Sequence, residues 1–154
     1  LRGGTDQKTL KNVWQFVHDN IEYVSDRNGN QYIKSPANLW HTKVGDCKSF
    51  SLMIGSLLTH LDIPFVYRFS GVMNSISHVY VVSKPSRIMY VLDATVDRFD
   101  YESPSGFIID YDPLTGNPTE AINGAISKET NSVLKTILIA LGIWFGLKTL
   151  KKII

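Results

Sequence analysis

The hydrophobic pattern of this 154-residue chain changes period at Asp62-Ile63-Pro64, and that change limits the folds open to it. Before it, apolar residues recur at helical spacing. Leu10, Val13, Trp14, Val17 and Ile21 mark one face of a helix over residues 6–21, which Thr5 or Asp6 can cap. Phe50, Ile54, Leu57, Leu58 and Leu61 mark the buried stripe of another, from Cys47 to Leu61. Between them, Asp26 to Asn30 is turn chemistry, and Ser35-Pro36 reads as a cap followed by proline at the first helical position, opening a short helix through Trp40. After the change come three extended runs rich in Val, Tyr and Ile: Phe65 to Val72, His78 to Ser83 and Met89 to Asp93. The turn at Lys84-Pro85-Ser86 makes the last two an antiparallel hairpin. Helices followed by strands predict an α+β fold, with N-terminal helices packed on a small antiparallel sheet.

From Glu102 to Asn123 the composition shifts to Pro, Gly, Ser, Asp and Asn. This predicts a catalytic domain over residues 1–103, a linker over 104–130 and an apolar C-terminal helix over 131–154. Phe107, Ile108 and Ile109 are the residues that could pin the linker to the body.

Charge divides along the same line. Residues 128–154 carry +4 and residues 1–127 carry −2. The body is therefore no basic nucleic-acid binder, and no aromatic-plus-basic pattern points to RNA or DNA as a partner. The lone cysteine rules out an intramolecular disulfide and a four-thiolate zinc site. His18, His41, His60 and His78 show no metal-binding spacing, so neither a metal nor a cofactor is expected.

A lone cysteine is most often a small buried hydrophobe. Cys47, however, begins a predicted helix directly after Gly45-Asp46. Unpaired backbone N–H groups and the positive end of the helix dipole favour the nucleophilic thiolate there, and the same N–H groups could hold an oxyanion. His78 opens a strand and Asp93 ends the strand paired with it, close to cross-strand from His78. Taken singly, such residues are more often a hydrogen-bonded histidine and a strand-end cap. Together they form a nucleophile, a base, and a carboxylate able to fix the imidazole tautomer. Trp40, with an indole N–H seven residues before Cys47, is the candidate second oxyanion donor, although a core anchor is the more usual role for tryptophan.

Four blocks, in order, resemble the transglutaminase-like superfamily. Gly45-Asp46-Cys47-Lys48-Ser49-Phe50-Ser51 looks like its nucleophile motif. Leu57-Leu58 through Asp62-Ile63-Pro64 to Arg68 is similar to its "LL, then G-I-P-A-R" passage, with Asp62 in place of the usual glycine. Ser77-His78-Val79-Tyr80-Val81 resembles its "H-A-W" strand, and Val91-Leu92-Asp93-Ala94-Thr95 its "L-D-P/A-T" strand. The resemblance spans roughly residues 8–100. It implies a papain-like core with Cys47, His78 and Asp93 as triad and a peptide or protein amide as substrate. Hydrolysis by a peptidase or amidase, protein crosslinking, and a scaffold without activity are all known outcomes in the superfamily.

Residues Thr136 to Leu147 carry no charge, and Ser132 to Ile154 is long enough as a helix to cross a bilayer. A membrane anchor, a helix partner in an assembly, and a core helix are the three readings of residues 132–154. The first predicts a tethered enzyme, for which a bacterial envelope or a viral or phage particle would be a suitable setting, with either side of the membrane open.

Overall fold

In the computed structural model, residues 1–26, 32–73, 75–116 and 118–119 are described. Three helices precede a sheet, as the change of period requires. The first, α1 (Asp6–Asn20), is capped by the Thr5 hydroxyl, which accepts from the Lys8 N–H. A short strand, β1 (Glu22–Tyr23), follows it. The second helix, α2 (Pro36–Thr42), has the predicted Ser35 cap and proline start, and it ends on Lys43 in the left-handed region. The two-residue β2 (Val44–Gly45) then pairs parallel with β1, setting Tyr23 against Gly45. The third helix, α3 (Cys47–His60), begins at the cysteine.

The sheet order is β5-β4-β3-β6-β7. Its members are β3 (Phe65–Val72), β4 (Ser75–Ser83), β5 (Tyr90–Leu92), β6 (Phe107–Tyr111) and β7 (Pro118–Thr119), and every neighbouring pair is antiparallel. Strand alternation sends Tyr67, Phe69, Val79, Val81, Leu92, Ile109 and Tyr111 to one face. There they meet Leu10, Val13 and Val17 of α1 and Phe50, Ile54 and Leu58 of α3 in a single core. Tyr80, Val82 and Val91 pack with Val66 in a separate cluster.

The α+β layout is as predicted, but the boundary at residue 103 is not where the sheet ends. Part of the expected linker is strand β6, laid along the central strand β3 with Ile109 opposite Phe69. Its physical reason is burial. Ile109 and Tyr111 alternate inward and are only 4% and 1% exposed, which outweighs the turn-forming composition around them. The predicted turn residues 27–30, linker residues 120–130 and the C-terminal helix over 131–154 lie outside the described residues. Among the described residues, no helix is long and apolar enough to cross a membrane.

Past β5 the chain doubles back on it. The Val91 N–H donates to the Asp100 carboxylate at 3.0 Å, and the Asp100 N–H donates to the Val91 carbonyl at 3.1 Å. Asp100 takes a left-handed backbone, φ 58°, to make both bonds.

Candidate active site

Each residue of the Gly45-Asp46-Cys47 run has a separate physical task. A Cβ on Gly45 would lie 2.5 Å from Leu39 Cδ1, so a larger residue would force the Leu39 side chain of α2 to shift. Asp46 is the N-cap, and its carboxylate accepts from the Ser49 N–H at 3.1 Å. Cys47 is therefore the first helical residue, where a backbone N–H has no partner inside the helix.

One turn further on, the Ser51 hydroxyl donates to the carbonyl of Val79 at 3.0 Å. This bond fixes α3 against β4 at the residue next to His78. Cys47 lies close enough to His78 to act on its charge. His78 Nε2 lies 2.6 Å from Asp93 Oδ2, which leaves Nδ1 as the ring nitrogen not committed to the carboxylate. The other carboxylate oxygen, Asp93 Oδ1, accepts from both the hydroxyl and the N–H of Thr95, at 2.7 and 3.1 Å. The "L-D-A-T" run is thus a carboxylate with its own clamp two residues on. The β4–β5 register pairs Val81 with Leu92 and Val82 with Val91, so His78 meets Asp93 on the diagonal rather than directly opposite.

The first helix holds the backbone of this segment from behind. Trp14 Nε1 donates to the Asp93 carbonyl at 2.8 Å, and His18 Nδ1 lies 3.2 Å from the Ala94 carbonyl.

Electrostatics follow the geometry. Burial opposes a charge on His78, but Asp93 and Cys47 outweigh it and push its pKa up to about 10. Burial likewise works against the Asp93 carboxylate, yet bonds from His78 and Thr95 hold it below the usual carboxylate range. The imidazole therefore stays protonated at neutral pH, with the Asp93 carboxylate as its acceptor. Asp93 is only 4% exposed, whereas the His78 side chain is 24% exposed, so the dyad is reachable from its histidine end.

Of the three residues expected to act together, Cys47 is the first residue of α3, His78 lies in β4 and is bonded to the Asp93 carboxylate, and Asp93 directly follows β5. The ring of Trp40, the candidate second oxyanion donor, stacks on Phe16 at 5.0 Å and lies under the Lys43 ammonium. Tyr23 was passed over and lies nearer the chemistry. Its ring packs edge-on to Phe50 in the first turn of α3 at 5.9 Å. Burial, then the charges of Cys47 and Asp46, raise its pKa, so the hydroxyl keeps its proton. Tyr23 stands three residues past the end of α1, and the pairing with Gly45 that brings it to the start of α3 has no local signal in the sequence.

Lys48 was also missed. Its ammonium bridges Asp46 and Asp26, the latter at 3.1 Å, and this ties the segment after β1 to the cap of α3. Among the described residues, no group of His, Cys, Asp and Glu could hold a metal ion.

A family model described as a transglutaminase-like domain matches residues 1–111. The chain belongs to this transglutaminase-like family. The match runs past residue 103 to the end of β6, in keeping with a domain that includes this strand. No curated protein matches the chain. Among solved structures, calcium-bound LapG of Legionella pneumophila is similar with a TM-score of 0.54 and 16% identity, over 83% of this chain and 78% of that one. A second LapG structure gives a TM-score of 0.50 and 19% identity, over 62% and 58%. A candidate cysteine protease from Cytophaga hutchinsonii gives 0.47 and 21% identity, over 70% of this chain and 33% of that one. The chain thus spans a third of the Cytophaga protein and little over half of the second LapG chain. At these identities the likeness is one of fold alone, and that fold is a transglutaminase-like one.

Proposed function

We propose that this transglutaminase-like domain performs cysteine-dependent acyl transfer on peptide or protein amides, with water as the usual acceptor. The observation that supports this best is the 2.6 Å bond from His78 to Asp93, with Cys47 at the start of α3 close enough to act on the charge of His78. The Cys47 thiolate attacks the amide carbonyl carbon, and the carbonyl electrons move to oxygen. The Cys47 backbone N–H and the Tyr23 hydroxyl are the donors we assign to that oxyanion. His78 gives its proton to the departing amine nitrogen as the C–N bond breaks, leaving a thioester on Cys47. Neutral His78 then takes a proton from water, which attacks the thioester and releases the acid and the thiolate. Asp93 keeps the ring oriented throughout and stabilises its charged form.

Incubation with a peptide library, with and without a primary amine, tests this reading by mass spectrometry. Cleavage or deamidation supports hydrolysis, and amine incorporation identifies a crosslinking transglutaminase that uses the same thioester. Peptides left unchanged, together with a Cys47 that iodoacetamide modifies no faster than a free thiol, would mean a scaffold without activity. We further propose that residues 132–154 tether the domain to a membrane or a helical assembly at a bacterial envelope or phage particle. Fractionation of the full chain against one ending at residue 130 tests the tether, and identical partitioning would sink it.

A further inference from the structure

A second polar cluster stands beside the dyad and takes no part in the steps above. Tyr80, Arg68 and Asp110 occupy one row across β4, β3 and β6, each the register partner of the next. Arg68 Nε and Nη2 donate to the two Asp110 oxygens at 2.6 and 2.7 Å. Arg68 Nη1 donates to Glu102 Oε1 at 2.7 Å. The same Glu102 oxygen accepts from the Tyr80 hydroxyl, also at 2.7 Å. Tyr80 is only 3% exposed, and its ring centre lies 5.5 Å from that of His78. Continuing the β4–β5 register by one pair sets Asp93 opposite Tyr80. The phenol ring therefore borders both members of the dyad, and its hydroxyl end is fastened to a charged cluster.

We propose that Tyr80 is a positioning residue for His78, held in place by Glu102, Arg68 and Asp110. This rests on the reading of His78 as acid and base. A forked arginine–carboxylate pair is rigid and directional, and it fixes Glu102 as the acceptor for the phenol. A ring anchored at its far end cannot swing, so the imidazole packed on it keeps its orientation. The short bond from His78 to Asp93 depends on that orientation, because hydrogen bonds weaken steeply off axis. Charge acts in the same direction. Two carboxylates against one guanidinium leave the cluster net negative, which favours a protonated His78. Both effects make residues 102–111 part of the catalytic apparatus, although they come after all three triad residues.

The test is NMR titration of the His78 ring in the wild-type chain and in Tyr80→Phe and Glu102→Gln, assigned with His78→Gln. Iodoacetamide alkylation of Cys47 across the same pH range runs in parallel. Both variants should lower the His78 midpoint by about one pH unit. The upper inflection of the alkylation profile should fall by the same amount, with the melting temperature little changed. A His78 midpoint that stays put in both variants would overturn the proposal. If Tyr80→Phe fails to fold, Glu102→Gln decides alone, since it keeps the ring and the size of the carboxyl group. The NMR arm does not depend on turnover. A lowered midpoint in a protein whose wild-type Cys47 is unreactive would uphold the positioning and remove the enzymatic reading.

Discussion

Trp14 donates its indole N–H to the main-chain carbonyl of Asp93 at 2.8 Å, joining the first helix to the last residue of the candidate triad. Trp14→Phe keeps most of the ring and removes the donor. The buried carbonyl then loses its partner, at a cost of about 1–3 kcal/mol. Urea denaturation should show that loss. Alkylation of Cys47 should slow less than in Asp93→Ala, because the carboxylate itself remains.

The His78–Asp93 pair sets a pH window for stability. The His78 pKa is raised to about 10, so its contribution is full below the unfolded value of about 6.5 and is lost as pH climbs through about 10. Asp93 is depressed, so its contribution is present above the unfolded value of about 3.9 and is lost as pH falls. Denaturation midpoints should therefore hold steady from about pH 5 to about pH 6.5, fall progressively from there to about pH 10, and fall again on the acid side. Asp93→Asn should lower the plateau and remove most of the alkaline fall that comes from His78. An unchanged alkaline limb in that variant would mean that His78 is not the group responsible.

How far this site could be read in advance depended on how local each signal was. The Asp46 cap, the helix start at Cys47 and the strand end before Asp93 are written in adjacent residues, and they were legible; His78, expected to open its strand, is instead the fourth residue of β4, which starts at Ser75. Asp62 is informative for another reason. The superfamily pattern has glycine there, and the structure shows why: its φ is +58°, in the left-handed region that glycine enters freely and aspartate tolerates. Partners distant in sequence were not legible. Nothing near Trp14 announces a bond to Asp93, and nothing near Lys48 announces Asp26. Strand β6 was hidden for a compositional reason, since the six residues between Gly106 and Pro113, four of them apolar, look like a loop until β3 needs a neighbour.

Lys48 offers a test of how firmly the start of α3 is held. Lys48→Met keeps the stem and removes the charge, leaving the buried Asp46 carboxylate with no ammonium. The expected loss is about 3 kcal/mol, and adding Asp46→Asn should restore most of it, because asparagine still caps the helix. Thermal melts of the single and double variants measure both. Equal melting temperatures for Lys48→Met and wild type would show that the bridge contributes nothing.

The extent of the domain can be measured by truncation. A chain ending at Ser103 loses β6, with it the buried Tyr111 and the Asp110 that pairs with Arg68. Deleting core aromatic packing alone costs about 3–5 kcal/mol, so this chain should not fold. One ending at residue 130 should fold and keep Cys47 reactivity. Circular dichroism and the alkylation rate distinguish the two, and a folded 1–103 chain would restore the shorter boundary.

The doubling-back of Asp100 onto Val91 bears on what the sheet can be recruited to do. β5 is an edge strand of three residues, and both hydrogen-bonding groups of its middle residue are already taken by Asp100. An exposed edge is a template for another chain, and natural sheets protect theirs by shortening or covering them. Here both devices guard the strand that leads into Asp93. A peptide cannot align itself by extending the sheet at this margin, and neither can a misfolded neighbour. The end of the fold that carries the carboxylate is thereby closed to strand-by-strand aggregation.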